Sequence, residues 1–348
     1  MAITSDQIKQ LEETVKKADM PDGLRQKVML RLGQLTYLTD SPTFLPEFDR
    51  LSSYIDWVIN IPWSKRTQDI LDLEYARQVL DKNHFGLDEI KSRILEYLSV
   101  MRLKHDKGEG EDVMRAPILC FVGLVGTGKT SISFSIAEAM GRKFARIPFG
   151  GMGDPLDLRG QSRVHPEAEP GKIIKALRAT QAKNPVILLD EIDRVTEEGR
   201  ASIMGVLVEL LDPQQNYAFV DHYIDYPVDL SETLFIATAN NTTHISTAVL
   251  DRLEPISMPS YSDKEKIAIG QKYMLPKVLE SAGLNDGSLV IDDDVWANIV
   301  RPLGYDAGIR TLERTIEGVA RKVAKMIVEG KGQSYHITKD NVRDFLPQ

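Results

Sequence analysis

Cysteine is nearly absent from this sequence. Cys120 is the only one among 348 residues, which excludes an intrachain disulfide and any metal site built from several cysteines. It lies in the apolar run Ile118 to Val122, so we expect a buried thiol that packs as a small apolar side chain. No apolar run approaches the roughly 20 residues that span a bilayer, and no membrane partner is expected. The N-terminus lacks a basic stretch followed by a long apolar one, so no secretory leader is read there. The expected compartment is reducing: cytoplasm, or an organelle matrix if a targeting segment was removed. A basic excess is missing as well. Lys and Arg total 43 against 51 Asp and Glu, a net charge of -8 that argues against a nucleic-acid-binding surface. No internal repeat or low-complexity tract is present.

The apolar spacing divides the chain into three parts. Over residues 1–62 the pattern is helical: Leu11, Val15 and Ala18, then Leu24, Val28, Leu32 and Leu35, with Pro21-Asp22-Gly23 between them. An amphipathic run follows Ser41-Pro42-Thr43 and ends at Tyr54, Trp57 and Val58. Residues 63–258 change character. Two helices, Leu73 to Leu80 and Leu87 to Leu103, precede a polar loop expected over Lys104 to Met114. Short apolar strands then alternate with helices at Ile118 to Val122, Pro185 to Leu189 and Leu234 to Ala237, implying a parallel sheet between helical layers. In residues 259–348 strand signals fade, and Lys264 to Leu279, Asp292 to Val300 and Arg310 to Glu329 read as helices of a small domain.

The chemistry begins after the first strand. Gly123-Leu124-Val125-Gly126-Thr127-Gly128-Lys129-Thr130 fits G-x-x-x-x-G-K-[ST] between a strand and a helix. Glycines let successive N–H groups curl into an anion nest at a helix N-terminus, where the helix dipole favours phosphate. Lys129 would reach the β and γ phosphates of ATP, Thr130 would ligate Mg2+, and Ser131 would help cap the helix. An ordinary glycine-rich turn is the plain alternative. A second element argues against that alternative: the apolar strand Val186 to Leu189 runs straight into Asp190-Glu191. Ligand sites in parallel sheets lie at such C-terminal ends. Asp190 would hold Mg2+ and Glu191 would act as general base towards a water. Asn240 ends the third strand, where an amide could position that water. Arg252 and Arg310 carry guanidinium groups suited to phosphate, although an isolated arginine is more often a surface residue.

Taken together, the motifs make the chain resemble the ATPase part of Lon-type ATP-dependent proteases of the AAA+ family. The similarity runs from about Tyr54 to the C-terminus. It is carried by Tyr54-Ile-Asp-Trp57, His84-Phe85-Gly86-Leu87, Leu211-Asp-Pro-Gln-Gln-Asn216, Phe235 to Asn240, Leu250-Asp-Arg252 and Gly308-Ile-Arg310. The fold the resemblance implies is an α/β P-loop NTPase (AAA+) with a parallel sheet, a helical segment before it and a small helical lid after it. It also implies Asn240 as first sensor, Arg252 as a finger reaching a neighbour's nucleotide, Arg310 as second sensor, and His84 to Leu87 beside the adenine. A homo-hexamer acting on unfolded or damaged proteins follows, since such a finger needs a neighbouring subunit. Two stretches depart from the family. Leu124-Val125 stands where Pro-Pro is usual, and an ungapped match puts His165-Pro166 on the substrate-gripping pore loop in place of an aromatic-aliphatic pair. The family's Ser-Lys peptidase would begin near Asp344-Phe345-Leu346, so a truncated form or a natural loss of the peptidase is expected. A standalone AAA+ remodelling ATPase is the alternative function.

Overall fold

A strand buried on both faces needs a continuous apolar run, and three such runs form the centre of the sheet. The computed structural model describes residues 2–38, 41–107, 118–285, 287–301 and 308–346. Its first five helices are α1 (Ala2–Lys17), α2 (Asp22–Thr36), α3 (Phe44–Ile59), α4 (Leu73–Asn83) and α5 (Asp88–Asp106). Alternation follows: β1 (Ile118–Val122), α6 (Lys129–Ala139), β2 (Phe144–Pro148), α7 (Leu156–Arg159), α8 (Lys172–Thr180), β3 (Val186–Asp190) and α9 (Arg200–Leu210). Next come β4 (Phe219–Val220), β5 (Pro227–Val228), β6 (Leu234–Ala239), α10 (Thr247–Leu250) and β7 (Leu253–Ser257). The chain closes with α11 (Asp263–Ile269), α12 (Leu275–Ser281), β8 (Leu289–Ile291), α13 (Trp296–Val300), α14 (Arg310–Val328), β9 (Tyr335–Ile337) and α15 (Val342–Phe345).

The main sheet has the order β2-β3-β6-β1-β7. β2 pairs parallel with β3 and β3 parallel with β6, in the register Ile147↔Leu189 and Leu189↔Ala237. Every residue of β3 and β6 is buried. The edge strands β2 and β7 were not expected from the sequence. Each carries a proline, Pro148 and Pro255, and buries only some of its residues, which an edge tolerates and a central strand does not. A second addition is the short parallel pair β8 and β9 in the helical C-terminal part. The polar loop also starts later than expected. α5 continues through Lys104 and His105, the Lys104 ammonium suiting the negative end of a helix, and residues 108–114 lie outside those described. Among the described residues no helix is long and apolar enough to cross a membrane.

The chain parts into two compact units, neither of them one continuous stretch. The first comprises residues 1–71, 99–120 and 140–254. In it α2 buries Leu24, Val28, Leu32 and Leu35, as the helical spacing requires. Tyr54 of α3 donates to the Ile224 carbonyl at 3.0 Å. Asn184 and Thr67 exchange hydrogen bonds, the Thr67 N–H donating at 2.9 Å and the Asn184 amide returning to the Thr67 carbonyl at 2.9 Å. Cys120 is buried here and burial pushes its thiol up to about 12, which leaves it an inert packing group.

The second unit comprises residues 72–98, 121–139 and 255–348. Its C-terminal core gathers Trp296, Ile299, Leu312, Ile316, Val319 and Val323, the apolar stripe of α14 among them. α4 packs on α6 through a polar contact: the His84 Nε2 lies 2.8 Å from the Ser135 hydroxyl, and the Asn83 amide donates to Glu138 at 2.7 Å. Burial, with the charges of Lys91 and Lys277, holds the His84 imidazole down to about 4 from an ordinary 6.5. A histidine whose folded pKa is depressed stays neutral in the fold. It stabilises the protein above its unfolded pKa, and that contribution is lost as pH falls from 6.5 towards about 4. Urea titration should therefore show wild type losing roughly 1–2 kcal/mol more than His84→Gln between about pH 7 and about pH 5. Equal slopes in the two proteins would assign the acid sensitivity to another group.

Candidate nucleotide site

The predicted site residues fall in both units. In the second unit, β1 runs into the glycine-rich loop and α6 begins at Lys129. Gly126 at φ +83° and Gly128 at φ +94° occupy the left-handed region, where a side chain is strained, and they turn the loop around its own N–H groups. Lys129 is buried and its Nζ donates to the carbonyls of Gly123 at 2.6 Å and Leu124 at 2.9 Å. The Thr127 hydroxyl donates to the Leu124 carbonyl at 2.9 Å, and the Tyr261 hydroxyl to the Thr127 carbonyl at 3.1 Å. Thr130 follows in the first turn of α6, half-buried. The Ser131 hydroxyl donates back to the Gly128 carbonyl at 2.9 Å, so it closes the turn from within rather than capping it. Lys129, Thr127 and Tyr261 thus tie down the Gly123, Leu124 and Thr127 carbonyls of the loop.

Arg310 is brought to this loop. The Ile309 N–H donates to the Gly126 carbonyl at 3.0 Å, and Gly308 crosses so closely that a Cβ there would lie 2.5 Å from the Val125 carbonyl oxygen. Arg310, the first residue of α14, has its Cγ 3.3 Å from the point a Cβ on Gly126 would occupy. His84 to Leu87 form a turn in the same unit, with Gly86 at φ +61° and Leu87 at φ +59°. The His84 ring faces Ser135 of α6, and Phe85 meets the Tyr273 ring edge-on at 6.4 Å between centroids.

The carboxylates belong to the first unit. β3 ends at Asp190, a buried carboxylate whose two oxygens are both engaged. The Thr238 hydroxyl donates to Oδ1, and Arg146 donates to Oδ2 through Nε at 2.7 Å with Nη2 at 2.6 Å. Glu191 follows at φ +58° and ψ +50°, a left-handed conformation uncommon outside glycine. Its N–H donates to the same Thr238 hydroxyl at 2.8 Å, so one side chain fixes both the aspartate and the turn after it. The Glu191 carboxylate lies 3.6 Å from Arg194. Asn240 stands just past the end of β6, at the end of the sheet where Asp190 closes the parallel neighbour β3. The partly exposed Arg252 guanidinium donates to Asp212, Nη2 to Oδ2 at 2.9 Å, and to the Ala248 carbonyl at 2.7 Å. That contact, with the Gln214 N–H, holds the Asp212 carboxyl below the usual carboxylate range.

His165 and Pro166 lie on the loop between α7 and α8. They line a cavity of about 570 Å3 with Arg31, Leu35, Tyr54 and Arg163, whose guanidinium sits 3.8 Å above the Tyr54 ring. The base of this loop is fixed by Asp221, a fully buried carboxylate that accepts from the N–H groups of Gly171, Tyr223 and Ile224 at 2.7, 2.8 and 3.1 Å.

Sequence reasoning gave no role to Thr238, Arg146, Asp212 or Gly308, although all but Arg146 lie in stretches that carry the resemblance. Thr238 shares strand parity with Asn240, a signal present in the sequence. Arg146 becomes visible only once β2 is seen to pair with β3, where Pro148 stands opposite Asp190 and Arg146 two residues earlier on the same face.

Residues 119–260 match the ATPase family associated with various cellular activities (AAA). Residues 280–336 match the Lon protease AAA+ ATPase lid domain. A Lon protease of Lawsonia intracellularis is 43% identical over 347 residues, covering 99% of this chain and 40% of that protein. Lon protease 2 of Herpetosiphon aurantiacus is 40% identical over 342 residues, covering 98% and 41%. A Lon protease of Elusimicrobium minutum is 42% identical over 340 residues, with 98% and 40% covered. The chain thus spans about two fifths of the length of the curated relatives it matches. On these grounds the chain belongs to the AAA+ ATPases as a module of the Lon type, a AAA domain followed by the lid domain of Lon proteases.

Proposed function

We propose that this module binds ATP with Mg2+, hydrolyses it, and uses the cycle to unfold and translocate protein substrates within a larger Lon-type protease. One observation carries the reading. The buried Asp190 is followed by Glu191 in a left-handed turn, both fixed by Thr238, in the same matched AAA region as the phosphate loop. Strain of this kind persists where the surroundings over-determine it, and it concentrates at functional sites.

The loop N–H groups and the Lys129 ammonium bind the phosphates. Asp190 and Thr130 supply hard oxygen donors of the kind Mg2+ takes, and a single carboxylate with a hydroxyl fits its habit of keeping waters and substrate oxygens. When bound, Mg2+ neutralises charge on the phosphate oxygens. Glu191 accepts the proton of the attacking water, and Asn240 orients that water. Arg310 contacts the nucleotide from the lid, and the turn at His84 to Leu87 borders the adenine. Arg252, paired with Asp212 of its own chain, serves the nucleotide of a neighbouring subunit in a homo-hexamer. Residues 1–62, 63–258 and 259–348 are the end of an N-terminal domain, the nucleotide-binding domain and the lid. His165 and Pro166 belong to the loop that contacts the translocating chain.

Glu191→Gln should lower steady-state ATP turnover by about 100- to 10,000-fold while nucleotide affinity stays near wild type. Turnover equal to wild type would remove Glu191 as the base. Lys129→Ala should weaken nucleotide binding in the same assay; unchanged affinity would end the phosphate-loop assignment. Arg252→Ala should cost on the order of 1,000-fold in turnover. Wild-type specific activity should rise with protein concentration, because a residue supplied by a neighbour requires assembly. A concentration-independent rate would refute the shared site.

A further inference from the structure

Asp190 is a buried carboxylate with a cation already on it. Its side chain is 5% exposed and its Oδ2 is held by Arg146 at 2.6 and 2.7 Å, whereas the Arg146 side chain is 51% exposed. The two partners of Asp190 are thus unlike. Thr238 is fully buried on the central strand β6 and also holds the Glu191 N–H, so it cannot leave without releasing the turn. Arg146 stands on the edge strand β2, half in water, and among the described residues its side chain has no hydrogen bond or ion pair other than those to Asp190. Asp193 is a second buried acid close by in sequence, and Glu191 has its own partner in Arg194. Arg146 is therefore the group that offsets the charge of Asp190, and it occupies the oxygen a metal would need.

We propose that Arg146 is an exchangeable counter-ion of Asp190: it holds the carboxylate until Mg2+ takes its place, and so sets the Mg2+ concentration at which nucleotide binds. The inference rests on the reading of Asp190 as the Mg2+ carboxylate. A buried charge left without a partner is costly, so Asp190 always carries either the guanidinium or the metal. Competition follows directly. Removing Arg146 leaves Asp190 exposed to the repulsion of its acidic neighbours and raises its demand for a cation.

The experiment uses the full 348-residue chain with two readouts. One is the Mg2+ midpoint for binding a fluorescent ATP analogue; the other is thermal unfolding with Mg2+ alone. For Arg146→Ala the Mg2+ midpoint should fall about three- to tenfold, the scale of a half-exposed ion pair. The variant should also melt earlier than wild type without Mg2+ and gain more from adding it. Arg146→Lys keeps the charge and should return the midpoint to within about twofold of wild type, which also covers the case of an unstable alanine variant. With Asp190→Asn in the background, Arg146→Ala should move neither readout. An unchanged or raised midpoint in a folded Arg146→Ala or Arg146→Gln protein would overturn the counter-ion role alone. Mg2+-independent nucleotide binding by the wild type would overturn the reading of Asp190, and the counter-ion role with it.

Discussion

A carboxylate at the end of a strand buried on both faces has to be satisfied inside the protein, and Asp190 places that demand at the centre of the first unit. The cost of burying an unpaired charge is large enough to dictate what its neighbours are. On one side β6 supplies Thr238; on the other, β2 supplies Arg146. Because the Thr238 hydroxyl also takes the Glu191 N–H, satisfying the aspartate simultaneously fixes a left-handed turn immediately after the strand. Three parallel strands are thus cross-linked at their C-terminal ends by polar contacts, where apolar packing alone would leave the ends free to fray. The same contacts decide which way the Glu191 side chain leaves the sheet.

How legible each strand is in the sequence depends on where it lies in the sheet. β3 and β6 are buried throughout, so their runs Val186 to Leu189 and Leu234 to Ala237 carry the apolar signature undiluted. β2 and β7 lie at the edges, and there the physics asks for something different. Exposed edges tolerate Pro148 and Pro255, with charge at Arg146 and Glu254, and these residues erase the pattern a reader searches for. The short pair β8 and β9 escapes notice for another reason. Three residues each, paired in parallel across most of the C-terminal region, give no periodicity to detect. The long helices were easier, because α2 and α14 bury a regular stripe of aliphatic residues.

Within the site, what was legible was what is contiguous. The phosphate loop and the Asp190-Glu191 pair are each a few adjacent residues whose order encodes their geometry. Their supports are not contiguous. Gly308 lies far along the chain from Val125, yet its missing side chain is what allows the backbone before Arg310 to cross the loop. Asp212 lies 40 positions from Arg252 and holds that guanidinium in place, which an isolated arginine in the sequence does not announce. His84 gave a different lesson. Its motif pointed to a binding turn, and the ring is also a structural link between two helices, kept neutral by its burial.

The loop carrying His165 and Pro166 shows how a departure at a tip can leave a framework unchanged. Its path is set at the base, where Asp221 gathers three N–H groups and Gly160, at φ +73°, passes so close that a Cβ would lie 2.8 Å from the same carboxylate. None of these contacts involves residues 164–167. The Gln161 N–H donates to the Glu169 carbonyl at 3.0 Å and closes the neck of the loop, again below the tip. The contacts that fix the loop at its base thus lie outside positions 164–167. What the loop presents includes Val164, an aliphatic side chain 83% exposed beside the His165 ring.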